Sequence, residues 1–416
     1  MKVKFSEYNY TPLLNLAKSD FIDLKSNFEF YIPFGDDNLL PTQLNKLSRE
    51  VPVHRAILNA KANYITGKGL ASSNKILGRW IRKPNNSNDN LNVIIKKIIF
   101  DYLNLGNAFL EIVTDKNKSF LFLYHIDASK VRFATSSENC WIHPDWEQLK
   151  GKNDPNLTAL PLYPYFAMGD DGLFHAVFHI KDYEPEFYFY GLPAYFPGLR
   201  SIIISGLVNV WNQTRLERQF NSPGLLIIPG VNDPAEAEAL DAEFQKYKGI
   251  DGEKAADIII QYLSDLAPGQ ASQAAQYVQF KKDNEGNWLD LHKQAEASLI
   301  TIHNWFRTLT PYSDDKSGFD KNRIISEYEV AMSSVIRPHQ EMFAQQLSRI
   351  LSDFDLPTDD LEFINEPPVN LINPFKFVWE ARRDSGLDYD KTDPLQRQLV
   401  AQVKNTFTTT NHNQNE

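Results

Sequence analysis

Tyr188-Phe189-Tyr190-Gly191-Leu192-Pro193-Ala194-Tyr195-Phe196-Pro197-Gly198 leads straight into a long amphipathic run, Leu199 to Phe220, which stops at Asn221-Ser222-Pro223-Gly224. Gly191, Pro193, Pro197 and Gly198 fit poorly inside regular structure, so the stretch reads as a rigid elbow. Beyond it, Leu199, Ile202, Ile203, Gly206, Leu207, Val210 and Trp211 recur at helical spacing. Pro223 and Gly224 end that helix sharply. Its other face is only lightly charged, with Ser205, Asn209, Asn212, Gln213, Arg215 and Arg218. Such a face suits packing against copies of itself or bordering a water-filled channel.

Before the elbow the pattern mixes helices and strands. The first forty residues read as irregular structure or an arm. Pro52 opens a helix through His54, Ile57, Leu58, Ala60 and Ile65, closed by Gly67-Lys68-Gly69. Asp89 or Asn90 caps a second helix carrying Leu91, Ile94, Ile95, Ile98, Ile99 and Tyr102. Strands at Ala108–Val113 and Phe120–His125 form a hairpin across Asp115-Lys116-Asn117-Lys118. Further strands are predicted at Val131–Thr135 and Leu173–Ile180. The proline-rich stretch from Gly151 to Tyr165 is predicted as loop. The fold class is α+β, with one domain over residues 1–197.

After the first long helix (198–221) comes an insertion, 222–286. Leu225–Ile228 and Tyr277–Phe280 read as strands, and Ala256–Leu263 as a strand or a short helix. A helix opens at Asp233-Pro234. The insertion is acidic, carrying Glu236, Glu238, Asp241, Glu243, Asp251 and Glu253. A second long helix, Trp288 to Leu309, follows, with Leu291, Ala295, Leu299, Ile302, Trp305, Phe306 and Leu309 on one face. Residues 310–320 form a polar loop. A third helix within 321–380 carries Ile324, Tyr328, Val335, Phe343 and Leu347, with a kink expected at Pro338. Leu361–Asn365 reads as a strand. The short tail, 381–416, ends in polar residues expected to be disordered.

The bulk properties narrow the function. The chain has 416 residues, 42% hydrophobic and 23% charged, enough for two or three compact units. Its net charge of -10 argues against a protein that grips DNA, since gripping neutralises phosphates with Lys and Arg. Such a charge does suit a wall past which DNA slides. Cys140 is the single cysteine, so neither a disulfide framework nor a cysteine-rich zinc site is expected. No apolar run approaches the roughly 18 residues of a membrane span. The start of the chain lacks the apolar core of a signal peptide, so neither secretion nor membrane insertion is expected.

Catalytic patterns are weak. His175 and His179, with His125 nearby in sequence, are the best enzymatic candidates. On a strand, however, residues four apart stand about 13 Å from each other, too far to share a metal. Gly67-Lys68-Gly69 lacks the preceding glycine of a phosphate-binding loop. No cofactor and no metal site is expected.

The order of the parts resembles the portal proteins of tailed bacteriophages. The phrase Asp101-Tyr102-Leu103-Asn104-Leu105-Gly106-Asn107-Ala108-Phe109-Leu110-Glu111 is similar to that family's first hairpin, and Tyr190-Gly191-Leu192-Pro193 to its elbow. Two departures stand out. Trp305-Phe306-Arg307-Thr308-Leu309-Thr310-Pro311 replaces a Phe-Gly-Val-Pro-Pro-like phrase, and the C-terminal part is too short for a large crown. The resemblance implies a wing (1–197), stem helices (198–221 and 287–309), a clip (222–286), a tunnel loop (310–320), a kinked wing helix and strand (321–380) and a short crown or tail (381–416). It implies a non-enzymatic homo-oligomeric ring of twelve copies at one vertex of the virion, assembled in the host cytoplasm. The implied partners are the large terminase, the major capsid protein, a head–tail connector or adaptor, and double-stranded DNA passing through without sequence recognition. Ser313, Asp314, Asp315, Lys316 and Ser317, with Lys321 and Arg323, would face the DNA; Glu236, Glu238, Asp241, Glu243, Asp251 and Glu253 would hold terminase and connector. The alternatives are another ring-forming or scaffold protein of the virion, or an intracellular hydrolase using His125, His175 or His179.

Overall fold

Prolines set the first two helices among the described residues. Pro41 and Pro52 occupy the opening turns of α1 (Leu40–Glu50) and α2 (Pro52–Thr66), where a missing N–H costs nothing. The chain is described by a computed structural model covering residues 30–35, 37–217, 224–229, 235, 238–240, 258–263, 276–279, 285–310, 321–358, 360–368, 377–384 and 388–398. It divides into two compact units, Met1–Tyr8 with Ile203–Ala297, and Asn9–Ile202 with Ser298–Glu416.

In the larger unit, α2 stops at Gly67, whose φ is +54°. A Cβ there would lie 2.2 Å from the carbonyl oxygen of Ile364, so the glycine reading of this helix stop holds. Strand β1 (Leu70–Ala71) follows. Helix α3 (Lys75–Arg82) is capped by Asn74, whose Oδ1 accepts from the backbone N–H of Ile76 at 2.9 Å. Asn90, one of the two expected caps, accepts from Val93 N–H at 3.0 Å and opens α4 (Leu91–Leu105). Gly106, at φ +69°, ends it. Neither α1 nor α3 is among the predicted elements.

The predicted hairpin forms as β2 (Asn107–Thr114) and β3 (Phe122–Ile126), antiparallel, with Val113 opposite Phe122. A second sheet joins β4 (Val131–Phe133), β5 (Asn139–Ile142) and β6 (Thr158–Pro161) in that order. The region predicted as loop between Gly151 and Tyr165 therefore contains a strand. Its four residues are bounded by Pro155 and Pro161, and the proline signal outweighs so short an extended run. Cys140 lies in β5 as a buried free thiol. Strands β7 (Ala167–Met168) and β8 (Phe174–Lys181) complete a four-stranded antiparallel sheet ordered β3-β2-β8-β7. Helix α4 packs its Ile94, Ile95, Ile98 and Ile99 side chains out of water and contacts β2 and β3.

A 3₁₀ turn, Phe196–Gly198, opens α5 (Leu199–Glu217). Leu199, Ile202, Ile203 and Val208 are buried, but Leu207 is 46% exposed and Ser205 is buried. The expected apolar and polar stripes are thus rotated from the sequence reading at those two positions. In the smaller unit, β9 (Gly224–Pro229), β10 (Ile258–Leu263) and β11 (Gln276–Gln279) form a sheet ordered β10-β9-β11. Ile258–Leu263 is therefore a strand and not a helix, as three consecutive β-branched isoleucines favour. β10 runs parallel to β9 and β11 antiparallel. Residues 238–240 are helical.

Helix α6 (Glu285–Ile302) ends seven residues earlier than the predicted Leu309. Asn304 adopts φ +46°, its N–H bonds to the Thr301 carbonyl at 2.9 Å, and Trp305 N–H bonds to the Ile300 carbonyl at 3.0 Å. That pair of bonds is a Schellman stop. Helix α7 (Lys321–Ala331) runs through a π-helical turn, Met332–Ile336, into α8 (Arg337–Ser352). Pro338 has no N–H and its ring would crowd the carbonyl four residues back, so the ladder widens immediately before it and the helix continues. Strand β12 (Glu362–Phe363) pairs with β1, and α9 (Val378–Asp384) follows.

Candidate functional site at the elbow

Tyr190 fixes the elbow. Its ring is fully buried and stacks on Phe34 at 4.1 Å between centroids and 7° between planes. Its hydroxyl donates to the Ile32 carbonyl at 2.7 Å and accepts from Phe133 N–H at 3.1 Å. Gly191 forms a reciprocal pair with the side chain of Asn107. Its N–H donates to Oδ1 at 2.8 Å, and its carbonyl accepts from Nδ2 at 2.8 Å. A Cβ on Gly191 would lie 2.3 Å from the Asp182 carbonyl oxygen and 2.5 Å from that of Gly106. Only glycine permits this approach of three backbone segments.

Four residues on, the Tyr195 hydroxyl donates to the Asn104 carbonyl at 2.7 Å, satisfying a free acceptor in the last turn of α4. Gly198 then meets Ile302, where a Cβ would come within 2.3 Å of the isoleucine Cγ2. The first turn of α5 and the last turn of α6 therefore touch at the elbow.

The end of α6 is anchored by polar groups. His303 Nε2 lies 2.8 Å from His54 Nδ1, and Lys61 Nζ donates to the His303 carbonyl at 2.9 Å. All three side chains are buried. Burial, with the nearby Arg55 charge, pushes His54 down to about 3; burial pushes Lys61 down to about 8, with Asp182 acting against it. Burial also raises Asp182, whose carboxylate accepts from Tyr102. A cavity of about 100 Å³ lies among Lys61, Asp182, Tyr195, His303, Ser334 and His339. Its size, and the polar groups that Lys61, Asp182, His303 and Ser334 place on an otherwise largely apolar wall, are enough for an ordered water.

The histidines singled out in the sequence do not converge. His175 bonds to Glu111 at 2.8 Å and to Asp171 at 3.1 Å. His179 bonds to Asn107 Oδ1 at 3.0 Å and stacks on Phe109. His125, paired with Asp101 at 2.8 Å, stands opposite Leu110, whereas His179 stands opposite Phe109. Adjacent residues of β2 face opposite ways, so the sheet itself separates His125 from the other two. Among the described residues there is no group of three His, Cys, Asp or Glu able to hold a metal, and no helix long and apolar enough to cross a membrane.

Of the predicted DNA-facing residues, Ser313, Asp314, Asp315, Lys316 and Ser317 lie outside the described residues. Lys321 opens α7. Arg323 Nε donates to Glu327 at 2.9 Å, and Glu327 also receives the Thr308 N–H at 3.2 Å. Of the acidic residues, Glu238 is exposed in the helical stretch 238–240, while Glu236, Asp241, Glu243, Asp251 and Glu253 lie outside the described residues. Sequence reasoning missed Asn107, Lys61 and His303. Only His54 left a trace, as a polar residue among the apolar positions of α2.

No protein-family model matches the sequence, and no curated protein is similar to it. Solved structures do match. A subunit in the neck of a native gene transfer agent particle, computed with C12 symmetry, superimposes with TM-score 0.52 at 13% identity, covering 92% of this chain and 100% of that one. The chain shares its fold with that neck subunit. A chain from the virion of a native gene transfer agent particle superimposes with TM-score 0.51 at 13% identity, over 88% of this chain and 91% of the other. An HK97-family phage portal protein from Corynebacterium diphtheriae also matches, with TM-score 0.45 and 11% identity over 76% of this chain and 94% of that one.

Proposed function

We propose that this chain is the portal subunit of a tailed-phage or phage-like virion, forming a closed ring at one vertex through which the genome enters and leaves. One observation carries the reading: α5 leaves and α6 returns at the same buried elbow, Gly198 against Ile302, on a fold shared with a virion neck subunit. A pair of long helices rooted at one point is what a ring needs to build the wall of an axial hole. The chain runs from one helix to the other through the sheet of β9, β10 and β11, which takes the role of the clip and, with the acidic residues around it, binds terminase and the head–tail connector. Residues 310–320 face the DNA, and Lys316 makes a single weak phosphate contact per subunit. One cation touches DNA without holding it, because affinity climbs steeply with each neutralised phosphate.

The ring is expected to contain twelve copies. A head-to-tail contact closes when its rotation divides a full turn. The role is structural, with the wing meeting the major capsid protein. The test is size-exclusion chromatography with light scattering on the purified full chain, followed by negative-stain imaging. Twelve copies of 47.8 kDa give roughly 570 kDa in a closed cyclic assembly, imaged as rings with an axial hole. A stable monomer at micromolar concentration would overturn the reading.

A further inference from the structure

A head-to-tail contact needs two different, complementary surfaces on opposite sides of one protomer. The larger unit carries such a pair. The first is a groove of about 660 Å³ along one face of α2, lined by Arg49, Arg55, Ala56, Asn59, Asn63 and Tyr64. Neither Arg49 nor Arg55 has a carboxylate partner among the described residues. The Arg55 guanidinium lies 4.3 Å from the Phe100 ring centroid and bonds only to Ser48 Oγ, at 3.4 Å. Burial and the adjacent Arg49 charge push the Arg55 pKa down, as two cations held together without a counter-charge require. Glu366 is the one carboxylate among the lining residues.

The second surface is the loop from Asp182 to Tyr188, between β8 and the elbow. Tyr183 is 78% exposed and Tyr188 72%, and Glu184 and Glu186 are exposed between them. The loop is preformed: Lys181 Nζ donates to the carbonyls of Phe187 at 3.1 Å and Tyr188 at 2.6 Å, and Phe187 N–H bonds to the Glu184 carbonyl at 3.2 Å. Preformed loops carrying tyrosine lose little entropy on binding.

The groove and the start of the loop lie on opposite sides of α2. At 100° per residue, positions 52, 56, 59 and 63 point roughly opposite to positions 54, 58, 61 and 65. Leu58 and Lys61, from the second set, line the cavity with Asp182, where the loop begins. The geometry points to a contact between copies in which the Glu184–Glu186 loop of one protomer seats in the Arg49–Arg55 groove of the next. This rests on the ring reading and names the surfaces that close the ring.

The test is a charge swap in the full chain. Glu184→Lys/Glu186→Lys makes the loop basic, and Arg49→Glu/Arg55→Glu makes the groove acidic. Each variant alone is expected to lose the ring peak while keeping the wild-type circular dichroism spectrum. Mixed one to one, the two are expected to recover it, because each supplies the surface that the other now fits. If replacing Arg55 unfolds the chain, Arg49→Glu/Asn63→Glu serves as the groove variant. Rings formed by both variants alone, or no recovery from two folded variants, would overturn the contact while leaving the ring reading intact. A monomeric wild type would sink the ring reading itself.

Discussion

His54 Nδ1 and His303 Nε2 lie 2.8 Å apart although 249 residues separate them in the chain. One ring donates and the other accepts, so the contact requires a neutral acceptor. A second proton would place two buried cations face to face beside Lys61. This bond ties the entry of α2 to the exit of α6, and it sets the acid behaviour of the larger unit.

Stability is expected to fall as pH drops from about 6.5. His54 and His179 are pushed down to about 3 by burial, and His303 and His339 are also lowered. A histidine depressed in the folded state stabilises it fully above the unfolded value near 6.5; that stability is lost towards the folded value. Each such group contributes up to about 1.4 kcal/mol per pH unit in that window. His175, lowered by burial but raised more by Asp171 and Glu111, works in the opposite sense above about 6.5, where its stabilisation is lost as pH rises, and leaves the slope below that value alone. Asp101 and Asp182, raised by burial, oppose it nearer pH 4. Urea unfolding between pH 6.5 and 5 is the measurement. His54→Gln/His303→Gln should flatten the slope; a flat wild-type profile would refute the account.

Lys61 gives a slope of the same sign on the alkaline side. Its folded value, about 8, is below the unfolded 10.5, so the unfolded chain holds the proton longer and stability rises from pH 8 upward. Tyr102 and Tyr195 are raised by burial and reverse the trend above about pH 10, the ordinary tyrosine value. Cys140, pushed up to about 12 by burial, works against Lys61 as the unfolded thiol ionises, so unfolding midpoints should climb from pH 8 to 9 in the wild type and fall in Lys61→Met.

Gly191→Ala is expected to cost about 3 kcal/mol or more, because the added methyl meets two backbone carbonyls that have no rotamer to move. Gly172→Ala is the control: its Cβ has nothing within 4 Å, and only the φ of +77° resists it, about 1 kcal/mol. Equal losses in denaturant titrations would refute the packing account of the elbow.

Tyr190→Phe keeps the stack on Phe34 but strands the Ile32 carbonyl and the Phe133 N–H. A buried unpaired backbone group costs about 1–3 kcal/mol. A loss of about 2 kcal/mol in thermal or urea unfolding is expected; a loss under about 0.5 kcal/mol would show that the hydroxyl is dispensable.

The elements legible in the sequence were those with long periodic stripes or glycine and proline punctuation. Leu91 to Tyr102, the hairpin that follows and the start of α5 belong to this class. The end of α6 was not legible, because Trp305 and Leu309 keep helical spacing beyond a stop formed by Asn304, and asparagine is a weaker signal than glycine. β6 was hidden between prolines. The rigidity of the elbow could be read from Gly191 and Pro193. Its cause could not: Asn107 holds Gly191 from 84 positions away. Likewise nothing near His303 announces His54. Pairings at that distance are created by the fold, and a local pattern carries no record of them.

The single thiol of the chain, Cys140, is fully buried in β5, and burial pushes it up to about 12. Maleimide reagents attack thiolate, so the native chain should stay unlabelled while a cysteine introduced at Glu184 reacts alone. The unaltered backbone therefore already serves as a blank for site-specific dyes. Energy transfer between donor-labelled and acceptor-labelled copies can then measure how far apart neighbouring molecules hold the same residue.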